Sequence, residues 1–174
     1  MAKNYKKQFG QLYDKHIDRI YRYVFLKVGK KEAAEDIVAE VFTKSWRKFR
    51  SGPEIRNASA YLYQVARAEV ANYYRTSSRA EFVSVEALPI IDSQAGPEAE
   101  QVKKADMENL QRHLKDLKEE YQDVLIWYYI DGYSTKEIAK MLEKSEGAVR
   151  VMVSRALAEL RDKMSKKWPE TLFS

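Results

Sequence analysis

The stretch from Tyr133 to Met164 constrains this chain most, because it holds two helix starts separated by one short reversal. Ser134 is followed three residues later by Glu137, so the hydroxyl can take one orphan amide while the carboxylate reaches back to another. That capping box predicts a helix from Thr135, with Ile138, Ala139, Met141 and Leu142 as its apolar face. The chain then runs through Glu143 and Lys144 to Ser145, a second N-cap candidate that opens a longer helix. In that helix Val149, Met152, Val153, Ala156, Leu157, Leu160 and Met164 fall on one side at helical spacing. The pattern predicts a helix-turn-helix, with Glu143 at a turn position where glycine would be more comfortable.

The opposite side of the second helix carries Gly147, Val151, Ser154 and Arg155, flanked by Arg150 and Arg161, with Ser145 at its start. Arginine can grip a guanine edge with two hydrogen bonds, valine can touch a thymine methyl, and glycine lets a backbone approach closely. Ser145, Gly147, Arg150, Val151, Ser154 and Arg155 are therefore the candidate duplex-reading residues. The competing account is an ordinary helical hairpin with a solvated charged face.

Upstream, the periodicity is helical throughout. Phe9, Leu12, Tyr13, Ile17, Ile20, Tyr21, Val24 and Phe25 predict a first helix over Tyr5 to Val28, ending at Gly29. Ala34, Ile37, Val38, Val41, Phe42, Ser45, Trp46 and Phe49 predict a second over Lys31 to Phe49. Glu35, Asp36, Glu40 and Lys44 lie largely outside that stripe, and the acidic start and basic end suit the helix dipole. Ser51, Gly52 and Pro53 mark a loop over 50–57, in which Arg50, Glu54, Arg56 and Asn57 offer donors and acceptors. A third helix, Ala58 to Ser77, packs through Leu62, Val65, Ala66 and Val70. Tyr61, Tyr63, Tyr73 and Tyr74 ring it, beside Arg67, Arg75 and Arg79. Interleaved rings and guanidinium groups suit single-stranded nucleic acid, although tyrosines at helical spacing are more often core. Two further helices, Met107 to Leu117 and Glu119 to Asp131, pack onto the helix-turn-helix through Leu110, Leu114, Leu117, Val124, Leu125, Tyr128 and Tyr129. The expected fold class is all-α: two helical domains joined by an acidic linker.

Charge supports that division. Residues 1–79 carry a net +9, 80–106 a net −4, 107–132 a net −3 and 133–174 a net +3. Two basic ends around an acidic middle fit two polyanion-facing modules and a segment that avoids the polyanion or meets a basic partner. The longest apolar run, Val124 to Ile130, has seven members, far short of a membrane span. The polar start over 1–7 has no apolar segment behind it, which predicts no secretory signal and a cytoplasmic protein. With no cysteine and two histidines, His16 and His113, no cofactor or metal is expected. Glu35, Asp36 and Glu40 as the metal ligands of a helical hydrolase find no histidine or second acidic helix converging on them.

Three motifs coincide in order. Ala34-Glu35-Asp36-Ile37-Val38-Ala39-Glu40-Val41-Phe42, followed by Trp46, resembles the helix by which bacterial sigma factors of the extracytoplasmic-function (ECF) group grip core RNA polymerase. Tyr61-Leu62-Tyr63-Gln64-Val65-Ala66-Arg67 and Tyr73-Tyr74-Arg75 look like the family's segment facing the −10 promoter element. Ser134-Thr135-Lys136-Glu137-Ile138-Ala139, Gly147-Ala148-Val149-Arg150 and Ser154-Arg155-Ala156 are similar to the module that reads the −35 element. Ala39, Ala68, Asn72 and Glu143 depart from the residues usual there.

The resemblance implies a protein that performs no covalent step and lends promoter specificity to core polymerase. It implies that Asp36, Ile37, Glu40 and Phe42 dock on the clamp helices of the largest polymerase subunit. It places Arg50, Arg56, Asn57, Tyr61, Tyr63, Arg67, Tyr74 and Arg75 at melted −10 DNA. The implied modules are 1–79 and 106–174, joined by a linker over 80–105, with promoter DNA and an anti-sigma factor as further partners and no membrane insertion. The alternative is a two-domain helix-turn-helix regulator acting as a dimer without polymerase. The two differ in the N-terminal half, where a regulator needs a sensor pocket or phosphoacceptor.

Overall fold

The computed structural model describes residues 2–52, 54–77 and 108–164. They contain helices α1 (Ala2–Val28), α2 (Lys31–Arg50), α3 (Ala58–Thr76), α4 (residues 108–114), α5 (Glu119–Leu125), α6 (Thr135–Leu142) and α7 (Glu146–Met164), with no strand among them. The all-α expectation therefore holds. The chain divides into two compact units, Met1–Asp92 and Ser93–Ser174. The acidic interval 80–105 lies outside the described residues, as do Pro53 and Arg79. No helix among the described residues is long and apolar enough to cross a membrane.

In the first unit α1, α2 and α3 each pack on the other two. Helix α1 starts before the expected Tyr5, since no glycine or proline at 2–4 stops it, and ends where Gly29 turns to φ 73° and its amide reaches Phe25 O at 2.8 Å. The core takes Ile20, Tyr23, Val24 and Phe25 from α1, Ala34, Ile37, Val38 and Val41 from α2, and Leu62, Tyr63, Ala66 and Val70 from α3. Each large side chain buried there stabilises the unit by roughly 1.5–3 kcal/mol in apolar transfer. Ser45, inside this core, satisfies its hydroxyl by donating to Val41 O at 2.7 Å. Two side chains tie helices across the bundle: Tyr74 donates to the Lys27 carbonyl, and Lys44 bonds Glu69.

The second unit is built on α7, which packs against α5 and α6. Val149, Val153, Ala156, Leu160 and Met164 are buried, as the spacing predicted, against Val124, Leu125, Ile138 and Ala139. Between α5 and α6 the structure departs from expectation. Residues Ile126–Ile130 form a π-helical turn, in which the Asp131 amide donates to Ile126 O, five residues back, at 2.9 Å. The widened turn carries one extra residue, so positions four beyond Val124 and Leu125 rotate outward. Tyr128 and Tyr129, expected to pack, are exposed, while Ile126 and Trp127 are buried.

Candidate functional site

The helix-turn-helix is assembled by its caps. Ser134 Oγ accepts from the Glu137 amide at 3.1 Å while Glu137 Oε2 accepts from the Ser134 amide at 2.8 Å, completing the capping box. At the other end of α6, Glu143 takes the left-handed conformation at φ 55°, and the Lys144 amide reaches Ala139 O at 3.0 Å. That six-to-one bond is the Schellman stop, normally made with glycine. Ser145 Oγ then caps α7 by accepting from the Ala148 amide at 3.1 Å.

These caps fix the rotation of α7. Ser145, Gly147, Arg150, Val151, Ser154 and Arg155 are all exposed on it, opposite the buried stripe. Val151 is 49% exposed, an apolar side chain among arginines and serines. A Cβ at Gly147 would meet nothing within 4 Å, so glycine there answers no packing need of the protein and leaves room for an approaching backbone. Arg150 Nη2 donates to Glu146 Oε1 at 2.9 Å, and the same oxygen accepts from Thr135 Oγ1 at 3.1 Å. Neither Glu146 nor Thr135 stood out as a site residue in the sequence, though the Glu-to-Arg spacing of four was there to be read.

On α2, Asp36 is exposed and Glu40 half-exposed, with Lys44 Nζ 3.9 Å from the Glu40 carboxylate. Lys44 titrates above its ordinary range, chiefly because Glu69 accepts its hydrogen bond. Ile37 and Phe42 do not share that outer face. They sit three and four residues from Ala34 and Val38 on the inward stripe and are buried, Phe42 with its ring 4.7 Å from that of Tyr13.

On the loop and α3 the expected −10 residues separate. Arg56 and Arg75 are exposed, Arg75 donating to Asn72 Oδ1 at 2.7 Å. Arg50, also exposed, lies over the Trp46 ring at 5.8 Å. Tyr61 and Arg67 are half-buried, and partial desolvation raises the Tyr61 phenol above its ordinary pKa. Tyr74 keeps an exposed ring although its hydroxyl is committed to Lys27, and burial of that hydroxyl is the main cause of its raised pKa. Asn57 Oδ1 caps α3 by accepting from the Ala60 amide at 3.1 Å. Tyr63 is a correction: it is 3% exposed with its ring 5.2 Å from Tyr23, so it packs the bundle and offers no stacking face. It lies one residue past Leu62 and three before Ala66, on the inward side.

An all-helical pair of units, one with outward carboxylates beside a basic aromatic helix and one with a capped helix-turn-helix, defines a two-module DNA-binding transcription factor. Family comparison fixes which kind. Residues 12–80 match Sigma-70 region 2 and residues 107–160 match Sigma-70 region 4. The ECF RNA polymerase sigma factor SigL of Mycobacterium tuberculosis is 30% identical over 152 residues, covering 86% of this chain and 85% of that protein. The ECF RNA polymerase sigma factor BldN of Streptomyces coelicolor is 30% identical over 154 residues, 87% of this chain but only 58% of BldN. In fold, the chain resembles CnrH, solved in complex with the cytosolic domain of CnrY, with a TM-score of 0.67 at 20% identity over 94% of this chain and 91% of that one. The chain belongs to the ECF sigma factors of RNA polymerase. It is a transcription initiation factor that directs core polymerase to promoters, with region 2 for the −10 element and region 4 for the −35 element. The region 2 match covers the half on which the polymerase-free regulator differed.

Proposed function

We propose that residues 1–79 act as the polymerase-binding and −10-binding module, that 106–174 act as the −35-binding module, and that 80–105 link them. On α2 the outward carboxylates Asp36 and Glu40 meet the clamp helices of the largest subunit, while Ile37 and Phe42 hold the helix in place from behind. On the first module's nucleic-acid side Arg50, Arg56, Asn57, Tyr61, Arg67, Tyr74 and Arg75 contact melted −10 DNA. On α7 Arg150 reads a base edge, Val151 touches a base methyl, and Ser145, Gly147, Ser154 and Arg155 seat the phosphate backbone. The chain itself performs no covalent step and works in the cytoplasm, where polymerase and chromosome are. An anti-sigma factor that covers these surfaces belongs to the same reading.

The observation that carries this is the fully outward set Gly147, Arg150, Val151, Ser154 and Arg155 on a helix whose other side is core. The polymerase contact has its own test. Replacing Asp36 and Glu40 together by Ala removes two exposed charges and no core atom, so the thermal midpoint should stay put. Affinity for core polymerase in a fluorescence titration should fall by about 2 kcal/mol or more, the range for close interfacial charge pairs. Unchanged affinity would move the contact off this face of α2.

A further inference from the structure

Glu146 is the first residue of α7 and Thr135 the first of α6. One oxygen of Glu146, Oε1, accepts from Thr135 Oγ1 at 3.1 Å and from Arg150 Nη2 at 2.9 Å. The carboxylate therefore bridges the starts of both helices, where their dipoles favour negative charge, and holds a guanidinium one turn further along. The pair is too exposed to add much stability, with the Arg150 side chain 67% and the Glu146 side chain 42% accessible. Its effect is on geometry.

We infer that Glu146 is a positioning residue that presents Arg150 to the −35 duplex and sharpens discrimination among −35 sequences, a role that rests on Arg150 reading a base. A guanidinium has five donors in a planar fork; with one Nη2 hydrogen held by Glu146 Oε1, the other still forms a two-donor edge with Nη1 or Nε to meet the two acceptors of a guanine. Holding the side chain in one rotamer before binding removes an ordering cost from the correct complex. The same carboxylate repels phosphate, so a complex in which Arg150 swings to the DNA backbone is disfavoured. Thr135 fixes the Glu146 rotamer from the neighbouring helix, which ties the alignment to the angle between α6 and α7.

The test uses holoenzyme reconstituted from the full chain and core polymerase, transcribing a promoter library randomised at the −35 element with a constant −10 element. Arg150→Ala should relax preference at one position about tenfold. Glu146→Ala should relax the same position about twofold to threefold and raise output from mismatched promoters, and Thr135→Val should shift it in the same direction. Glu146→Gln, which keeps an acceptor, should retain most of the preference. In an Arg150→Ala background, Glu146→Ala should change nothing further at that position. Full preference in Glu146→Ala alongside a relaxed Arg150→Ala overturns the positioning role while leaving base reading intact. Equal relaxation at every −35 position, or the same drop in the Arg150→Ala background, reduces Glu146 to a brace between helices. No relaxation in Arg150→Ala removes base reading and the inference together.

Discussion

Glu143 holds a left-handed conformation that costs an L-residue with a Cβ more than it costs glycine. Glu143→Gly should therefore stabilise the protein by about 0.5–1 kcal/mol, net of the extra freedom glycine gains when unfolded. A midpoint in urea that does not rise would show the turn unstrained. His16 offers a second single-residue reading. Buried at 4% exposure with Nδ1 unpartnered among the described residues, it is held down to about 4, first by desolvation and then by Lys15 and Arg19. Its folded pKa lies below the ordinary 6.5, so the unfolded chain takes up a proton first as pH falls. Stability should be lost between pH 6.5 and about 4, by at most about 1.4 kcal/mol per pH unit from this group. Denaturant melts of His16→Leu against the parent should show a shallower slope across that window; parallel slopes would reject the assignment. At α7, Arg155→Ala should weaken binding to all −35 duplexes alike and lower the salt slope by about one, unlike the position-specific loss expected of Arg150→Ala.

Elements decide which residues face outward, and the loop over 50–57 and the π turn do so in opposite ways. The loop leads from Ser51, whose amide closes α2 on Arg47 O, to Asn57, whose side chain opens α3, so both its ends are fixed. Arg56 is free to project between them. Capture of an extruded −10 base by this loop would support melting and select sequence together. Exchanging residues 50–57 for a same-length loop from a relative with another −10 preference should shift a promoter library at −10 and leave −35 choice alone. An active chimera with no shift would assign −10 choice to α3, at Tyr61 and Arg67. The π turn could not be read in advance, because Ile126-Trp127-Tyr128-Tyr129-Ile130 is apolar all round and carries no period to betray a change of register.

Across the whole molecule, each unit has its own buried core, and the boundary between them at Asp92 and Ser93 falls inside the acidic interval. Fragments 1–79 and 106–174 should each unfold cooperatively by circular dichroism, the smaller with the lower midpoint because it buries a smaller share of its surface. A fragment without a cooperative transition would show that its core needs the rest of the chain. Much of this design was legible in residues alone. Three-residue spacings such as Ser134 to Glu137 and Ser145 to Ala148 act through bonds within one helical turn, so the caps, the helix starts and the outward face of α7 needed no distant partner. The stripe on α2 separated Asp36 and Glu40 from the core for the same reason. Packing against Tyr23 decided that Tyr63 turns inward, and the π turn that Tyr128 and Tyr129 turn outward, since a tyrosine is apolar enough to be buried and polar enough to stay wet. Only the contact between α6 and α7 could bring Thr135 to the carboxylate that holds Arg150, since Thr135 and Glu146 are 11 positions apart in sequence with a reversal of the chain between them.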